Sequence, residues 1–430
     1  MYWLAVFIHV SVALIASAHV LLHKEDVRAA VGWTGLIWLS PALGVCLYFA
    51  FGINRVQRSA SRIVRSRSRT HDSPDYNTML PKIASGSLSR LSTLAETVSG
   101  NPVVCGNSVL PLIDGEQGYP QMLAAINGAS HSIALSAYIF RADRIGSEFV
   151  DALVDARNRN ADVRVQIDSI GSGMFSLPVA DQLKAAGIPV IRFMRDTHPW
   201  RLSLLNLRNH KKLLIVDGQI AFLGGLNYAD GNGYLGELET RDLHFRIEGP
   251  VVSQLMNGFV KDMPSSSCFA QSNPAWWPEL VETGTVDGRC VASGPHDDDE
   301  TIETIFGAAI SEARQKIRIV TPYFLPDRTI SNHLRLAALK GIEITIIVPG
   351  RCDHRWLDWA MRAQMRFSKS DKLNFHLSRA PFDHSKLLTI DGNWCAFGSP
   401  NWDVRSMRLN FELLFECYDE TTTRKLDTLI

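Results

Sequence analysis

The chain contains no Cys-x-x-Cys pair. Its seven cysteines, Cys46, Cys105, Cys268, Cys290, Cys352, Cys395 and Cys417, are scattered and odd in number. That argues against a disulfide framework and a thiolate zinc site, and fits a reducing compartment. Net charge is also missing: 44 Lys and Arg balance 44 Asp and Glu, so the whole-chain balance singles out no partner. No basic groove signature runs through the polar part, which counts against nucleic acid. The N-terminus lacks the basic stretch that opens a secretory signal peptide. What is present is 430 residues, 46% of them hydrophobic, enough for two ordinary domains with a substantial core.

The most informative feature is an internal repeat. His210-Lys211-Lys212, Asp217 and Gly224-Gly225-Leu226-Asn227 return as His384-Ser385-Lys386, Asp391 and Gly398-Ser399-Pro400-Asn401, with an offset of 174 residues at every matched position. A repeat of five chemically distinct residues at fixed spacing marks two equivalent units and proposes the active site.

Ahead of the repeat lie two uncharged runs, Tyr2 to Leu22 and Ala29 to Ile53, of 21 and 25 residues. Each is long enough to cross a hydrocarbon core of roughly 30 Å as a helix. The polar loop His23 to Arg28 separates them, which predicts a transmembrane helical hairpin over 1–54. A cleaved signal peptide is the competing reading of the first run. His9 and His19 within it read as tolerated polar groups. Arg55, Arg58, Arg62, Arg65, Arg67 and Arg69 follow the second run and predict a cytoplasmic catalytic part. The same cluster suits anionic headgroups, at about 1 kcal/mol per residue near the surface. Residues 55–100 read as a basic Ser/Arg-rich juxtamembrane linker, with an interfacial helix around Ile83 to Ala95.

From Asn101 helix and strand patterns alternate, which predicts α/β layers. The expected organisation is a first half at 101–265, a linker at 266–287 and a second half at 288–430. Two similar halves imply a pseudo-two-fold axis with the motifs facing each other across it. Asp297-Asp298-Asp299 reads as complementing a helix N-terminus rather than as a metal site.

The motif chemistry suits an anionic tetrahedral group. Residues two apart in a strand share a face, so His210 with Lys212, and His384 with Lys386, are expected to project together. Asp217-Gly218 signals a hairpin turn. Asn227 and Asn401 add amide donors. One imidazole can attack phosphorus and the other can protonate the leaving oxygen. Lysines and amides stabilise the charge that develops on the equatorial oxygens, so neither a metal nor another cofactor is required. The catalytic set is therefore His210, Lys212, Asp217, Asn227, His384, Lys386, Asp391 and Asn401. Within it Asp217 and Asp391 sit at turns and suit a structural role. Lys212, Lys386, Asn227 and Asn401 are the phosphate binders. Asp242 and Glu412, 32 and 28 residues after the motif histidines, are candidates to orient the imidazoles. His198 and Trp200 read as an ordinary loop, and His244 and His376 as packing or surface residues.

At these residues the chain resembles the phospholipase D superfamily, and within it the bacterial cardiolipin synthases. The likeness is carried by the doubled motif, the N-terminal hairpin, Ala137-Tyr138-Ile139-Phe140-Arg141, Phe245-Arg246-Ile247-Glu248-Gly249-Pro250, Thr321-Pro322-Tyr323-Phe324 and Arg405 to Glu412. The resemblance implies two phospholipase D-like halves sharing one site in a multi-pass inner-membrane protein. It implies a ping-pong reaction in which His210 takes a phosphatidyl group from phosphatidylglycerol. Glycerol leaves after protonation by His384, and a second phosphatidylglycerol attacks to give cardiolipin. Family members run further past Glu412, so the second half is expected to be shortened at its end. Three alternatives stay open at this point: a phospholipase D hydrolase, a transferase to another alcohol such as serine, and an inactive membrane-anchored lipid-binding protein.

Overall fold

The computed structural model describes residues 2–24, 27–52, 87–173, 176–193, 207–234, 238–263, 275–295, 300–368 and 372–430. The Arg55 to Arg69 cluster, the loop with His198 and Trp200, and Asp297 to Asp299 lie outside them. The chain divides into an N-terminal unit that includes Met1–Ser61 and a large unit that carries both halves.

In the N-terminal unit the first apolar run forms one helix, Tyr2–His23. Ala13, Ala16 and Val20 pack against Ala30, Ile37 and Tyr48. His19 is more than tolerated: its Nδ1 lies 2.8 Å from the Tyr48 hydroxyl. The second run is not one helix. Ser40 leaves helical geometry and Pro41 starts a new turn, giving Val27–Leu39, Pro41–Leu47 and a π-helical turn at Tyr48–Gly52. The residue before a proline is pushed out of the α region, and proline suits a first helical position. Taken over the described residues alone, no helix is long and apolar enough to cross a membrane, so the structure gives packed helices without establishing that they span.

The first half of the large unit contributes β1 (Val104–Ile113), β2 (Ser132–Ala137), β3 (Asp162–Asp168), β4 (Val190–Phe193), β5 (Leu213–Val216), β6 (Ile220–Gly224), β7 (Thr240–Arg241) and β8 (Leu243–Glu248). The second contributes β9 (Val286–Ser293), β10 (Lys316–Val320), β11 (Phe324–Leu325), β12 (Glu343–Pro349), β13 (Leu373–Ser378), β14 (Phe382–Asp383), β15 (Leu387–Ile390), β16 (Trp394–Gly398), β17 (Trp402–Asp403) and β18 (Glu412–Cys417). Fourteen of these strands form one sheet, in the order β13-β12-β10-β15-β16-β18-β9-β1-β8-β6-β5-β2-β3-β4. Read from either end the order is the same in kind: three parallel strands, the motif hairpin, then two strands leading to the centre. The halves join where β1 pairs antiparallel with β9. Asn107 secures the irregular register there, donating to Val104 O and Val286 O and accepting from Val251 N.

β5 and β15 are wholly buried, which explains their unbroken apolar sequence. Each half has its own apolar cluster, and a third cluster spans the centre, where Leu213 and Phe245 share a core with Phe397 and Phe415. The helix expected around 83–95 is Ser87–Ser99. Its apolar face does not lie free for a bilayer. Leu91 and Ala95 are buried with Ile302, Ile305 and Ala309 in the core of the second half, so this stretch is part of the folded unit and not linker.

Asp217 and Asp391, placed in the catalytic set from sequence with a structural role at turns, direct their carboxylates to backbone N–H groups. Asp217 accepts from the backbone N–H groups of Ser130, His131 and Ser132 at 2.7–2.9 Å, fastening the β5–β6 turn to the start of β2. Asp391 does the same with Arg314, Gln315 and Lys316, each at 2.8 Å, at the start of β10. Both adopt positive φ, 51° and 52°, a conformation that aspartate tolerates better than most residues. We therefore expect Asp217→Asn to lower the unfolding free energy by about 1–3 kcal/mol, the cost of weakening a charge-assisted acceptor, without changing turnover per folded molecule. Denaturant unfolding together with an activity assay checks this. Lost turnover in a fully folded variant would restore the catalytic reading.

Candidate active site

The motif histidines and lysines lie just ahead of β5 and β15 rather than within them. The approach segment of one half pairs with that of the other. Asn209 bridges in parallel to Phe411, with His210 N donating to Phe411 O at 3.0 Å and Phe411 N to Arg208 O at 2.8 Å. In the symmetric place β14 pairs in parallel with β7, and His384 N donates to Arg241 O at 2.8 Å. These ladders bring each histidine to the acid of the opposite half. His210 Nδ1 lies 3.1 Å from Glu412 Oε2, and His384 Nδ1 lies 2.8 Å from Asp242 Oδ2. Each expected acid thus sits against an imidazole, in a crossed arrangement.

Both histidines open onto a cavity of about 900 Å³, as do Asn227, Asn401, Arg208 and Arg405. The carboxamide oxygens of Asn227 and Asn401 are buried and unpartnered. Lys212 and Lys386 are buried behind this wall, each folded back onto the carbonyl oxygen of its own motif histidine. Lys211, between the two motif residues, points the other way into a buried ion pair with Asp262 at 2.7 Å.

Burial sets the electrostatics. It pushes His210 down to about 4, with Glu412 opposing and Lys212 assisting. His384 is lowered by burial and by Lys386. Lys212 falls to about 7, through burial and then the Lys386 charge, and burial brings Lys386 to about 8. For Glu412 and Asp242 burial acts upward, but the facing imidazole and the lysines prevail and hold both carboxyls below their ordinary values. A carboxylate can only accept, so each Nδ1 carries the proton and each Nε2 keeps its lone pair. The site therefore holds two imidazoles with fixed tautomers, their charged forms disfavoured by burial, backed by two lysines.

The family described as "Cardiolipin synthase, PLD-like domain" matches residues 122–262 and 307–430, which contain both motifs. The chain belongs to this family. It is 30% identical over 433 residues to cardiolipin synthase 1 of Bacillus anthracis, covering 95% of this chain and 83% of that protein. It is likewise 30% identical over 429 residues to the major cardiolipin synthase ClsA of Bacillus subtilis (strain 168), covering 96% and 88%. In fold it is similar to the crystal structure of phosphatidylserine synthase from Haemophilus influenzae Rd KW20, with a TM-score of 0.60 and 15% identity over 80% of this chain and 89% of that one.

Within this cardiolipin synthase fold the two histidine supports differ. A Cβ at Gly225 would come within 1.8 Å of Asp242 Oδ1, so the shorter acid is packed directly on a glycine. At the matching position Ser399 Oγ donates to Glu412 Oε2 at 2.5 Å, and Asn410 Nδ2 donates to Oε1 at 3.1 Å. The Gly/Ser difference between the motif copies thus matches an Asp/Glu difference between the acids. Sequence reasoning missed several residues of the site. Tyr138 stands edge-on to His210, ring centroids 4.6 Å apart, and 5.2 Å from Lys212 Nζ. Asp168 accepts from Asn209 N at 2.8 Å and so holds the approach to His210. Arg405 rides on a short helix anchored by Arg408 to Glu303 and Asp327. Both Tyr138 and Arg405 fall in stretches that carried the family resemblance, a usable signal. His244 is confirmed as packing: it is buried, accepts from Leu226 N at 3.3 Å and is pushed down to about 3 by burial.

Two outcomes follow from this geometry. Gly225→Ala forces Asp242 away from His384, and a misplacement of that size is expected to cut turnover about 100-fold, measured as kcat on a folded variant. His210, His244 and His384 all have folded pKa values below the unfolded 6.5, so the unfolded chain binds more protons as pH falls. Burial raises the carboxyls of Asp168, Asp403 and Glu416 from much lower ordinary values, which acts in the opposite sense and grows toward about pH 5. Just below pH 6.5 the histidines dominate, so stability should decline as pH falls from 6.5 to about 6, read as a falling urea midpoint. A flat or rising midpoint contradicts the buried neutral imidazoles.

Proposed function

We propose that the protein is a cardiolipin synthase that moves a phosphatidyl group from one phosphatidylglycerol to the hydroxyl of a second, releasing glycerol. The observation that carries this reading is the crossed pair of carboxylate-held imidazoles on one cleft, in a chain of the cardiolipin synthase family. His210 Nε2 attacks phosphorus. As the phosphodiester anion binds, His384 takes up a proton from water at Nε2 and Asp242 stabilises the imidazolium; the bond from phosphorus to the glycerol oxygen then breaks, and that oxygen takes this proton. The hydroxyl of the second phosphatidylglycerol then attacks the phosphohistidine and gives its proton to His384, freeing His210. The proton that leaves with glycerol is thereby replaced. Lys212 and Lys386 offset the charge on the phosphoryl oxygens from behind the histidines, while Asn227 and Asn401 offer amides from the wall. Burial lowers the affinity of both lysines for protons, and a bound phosphodiester anion raises it again.

The two N-terminal apolar runs and the arginines that follow them support a multi-pass inner-membrane protein with its catalytic part on the cytoplasmic side. That placement puts phosphatidylglycerol at hand as both donor and acceptor.

The test is turnover of phosphatidylglycerol in mixed micelles by the purified full-length chain, without added metal or nucleotide-activated lipid. Cardiolipin and glycerol should appear in equal amounts. Phosphatidic acid as the sole product would make the protein a hydrolase, and no turnover at all would make it a lipid-binding protein. His210→Ala should lose at least about 1,000-fold of the rate.

A further inference from the structure

We propose that the helix Arg355–Ser368 is a membrane-contact face that holds the mouth of the catalytic cleft against an anionic phospholipid surface. This rests on the reading that the substrate is a membrane phospholipid. The helix carries the most exposed tryptophans of the large unit's described residues: Trp356 is 79% and Trp359 54% exposed. Their rings stack edge-to-face, with centroids 5.1 Å apart. Trp356, Trp359, Ala360 and Ala363 are all exposed, and their spacing of three, four and seven places them on one helical face. The opposite face is anchored: Met361 is buried and Met365 packs against the core of the second half.

A large aromatic pair left in water on a folded unit marks an interaction surface. The charges around it favour a bilayer over a protein partner. Arg351, Arg355 and Arg366 are exposed beside the stripe, and the Arg355 guanidinium lies 5.9 Å from the Trp359 ring centroid. The helix's one acid, Asp358, is bound to Arg362 at 2.9 Å. Tryptophan with arginine, and no uncommitted carboxylate on the helix, is the composition of an element lying in a lipid headgroup layer. Position completes the argument. His354 and Leu357, immediately around Trp356, line the catalytic cavity, and Asp353 holds the Tyr323 hydroxyl at 2.8 Å on the same wall. The face that would touch lipid is therefore continuous with the wall that receives the headgroup. The polar site takes the phosphodiester while the acyl chains stay in the bilayer.

The test compares two substrate forms with the full-length protein. One is phosphatidylglycerol in lipid nanodiscs. The other is dihexanoyl phosphatidylglycerol below its micellar concentration. Trp356→Ala with Trp359→Ala should reduce turnover in nanodiscs about tenfold and leave turnover of the monomeric lipid unchanged. Hydrogen exchange of 355–368 in the wild type should slow in phosphatidylglycerol nanodiscs relative to a detergent without lipid. An equal loss on both substrates, or no loss on either, overturns the proposal. So does a change of oligomeric state in the variant, which would assign the face to a second copy of the chain. If the wild type turns over neither substrate, the phosphatidyl-transfer reading fails, and the exchange measurement still decides whether this face meets lipid.

Discussion

Everything in the site depends on two hydrogen bonds that cross the pseudo-two-fold. His210 to Glu412 and His384 to Asp242 join residues 202 and 142 positions apart in the chain. Neither motif histidine takes its carboxylate from its own half. The site is therefore a property of the joined unit, and the fold is built to keep the halves joined. One sheet runs through both of them, and short parallel ladders pair the approach to each histidine with the approach to the opposite acid. Nothing in this arrangement tolerates sliding of one half against the other. A shift of an ångström or two would part both imidazoles from their acceptors together.

Burial then converts this geometry into reactivity. A lysine or an imidazole removed from water resists its charge, and here two imidazoles on the cleft wall crowd against two lysines behind it. Two carboxylates restrain the effect but do not cancel it. The site holds tautomer-fixed imidazoles that resist protonation beside lysines with reduced proton affinity, an electrostatic cost that a phosphodiester anion relieves. The unequal supports of the two histidines, an aspartate against Gly225 and a glutamate held by Ser399 and Asn410, give chemically distinct surroundings to two groups that the reaction uses differently.

Around that centre the repeated turn positions serve as scaffolding. Asp217 and Asp391 fix the hairpins, and the helix Ser87–Ser99 completes the core of the second half. The stretch from Asp403 to Glu412 serves several purposes at once. It supplies an arginine to the cleft, a carboxylate to His210, an amide to that carboxylate, and through Arg408 an ionic anchor to two further helices.

The repeat by itself determined the number of halves, the candidate residues of the site and the buried motif strands, because a fixed spacing of His, Lys, Asp, Gly and Asn encodes local geometry within each copy. Asp242 and Glu412 were likewise visible as candidates from their similar distances to the motif. Sequence alone did not decide which acid serves which histidine, since the chain distance is shorter to the wrong partner in each case. Nor did it show that Lys212 and Lys386 sit behind the wall, that Tyr138 meets His210, or that the helix with Trp356 and Trp359 faces outward beside the cleft. Those are decided only in the tertiary structure, for one physical reason. They depend on how the two copies dock across the two-fold and on which surfaces remain uncovered afterwards, and a local spacing carries no information about either.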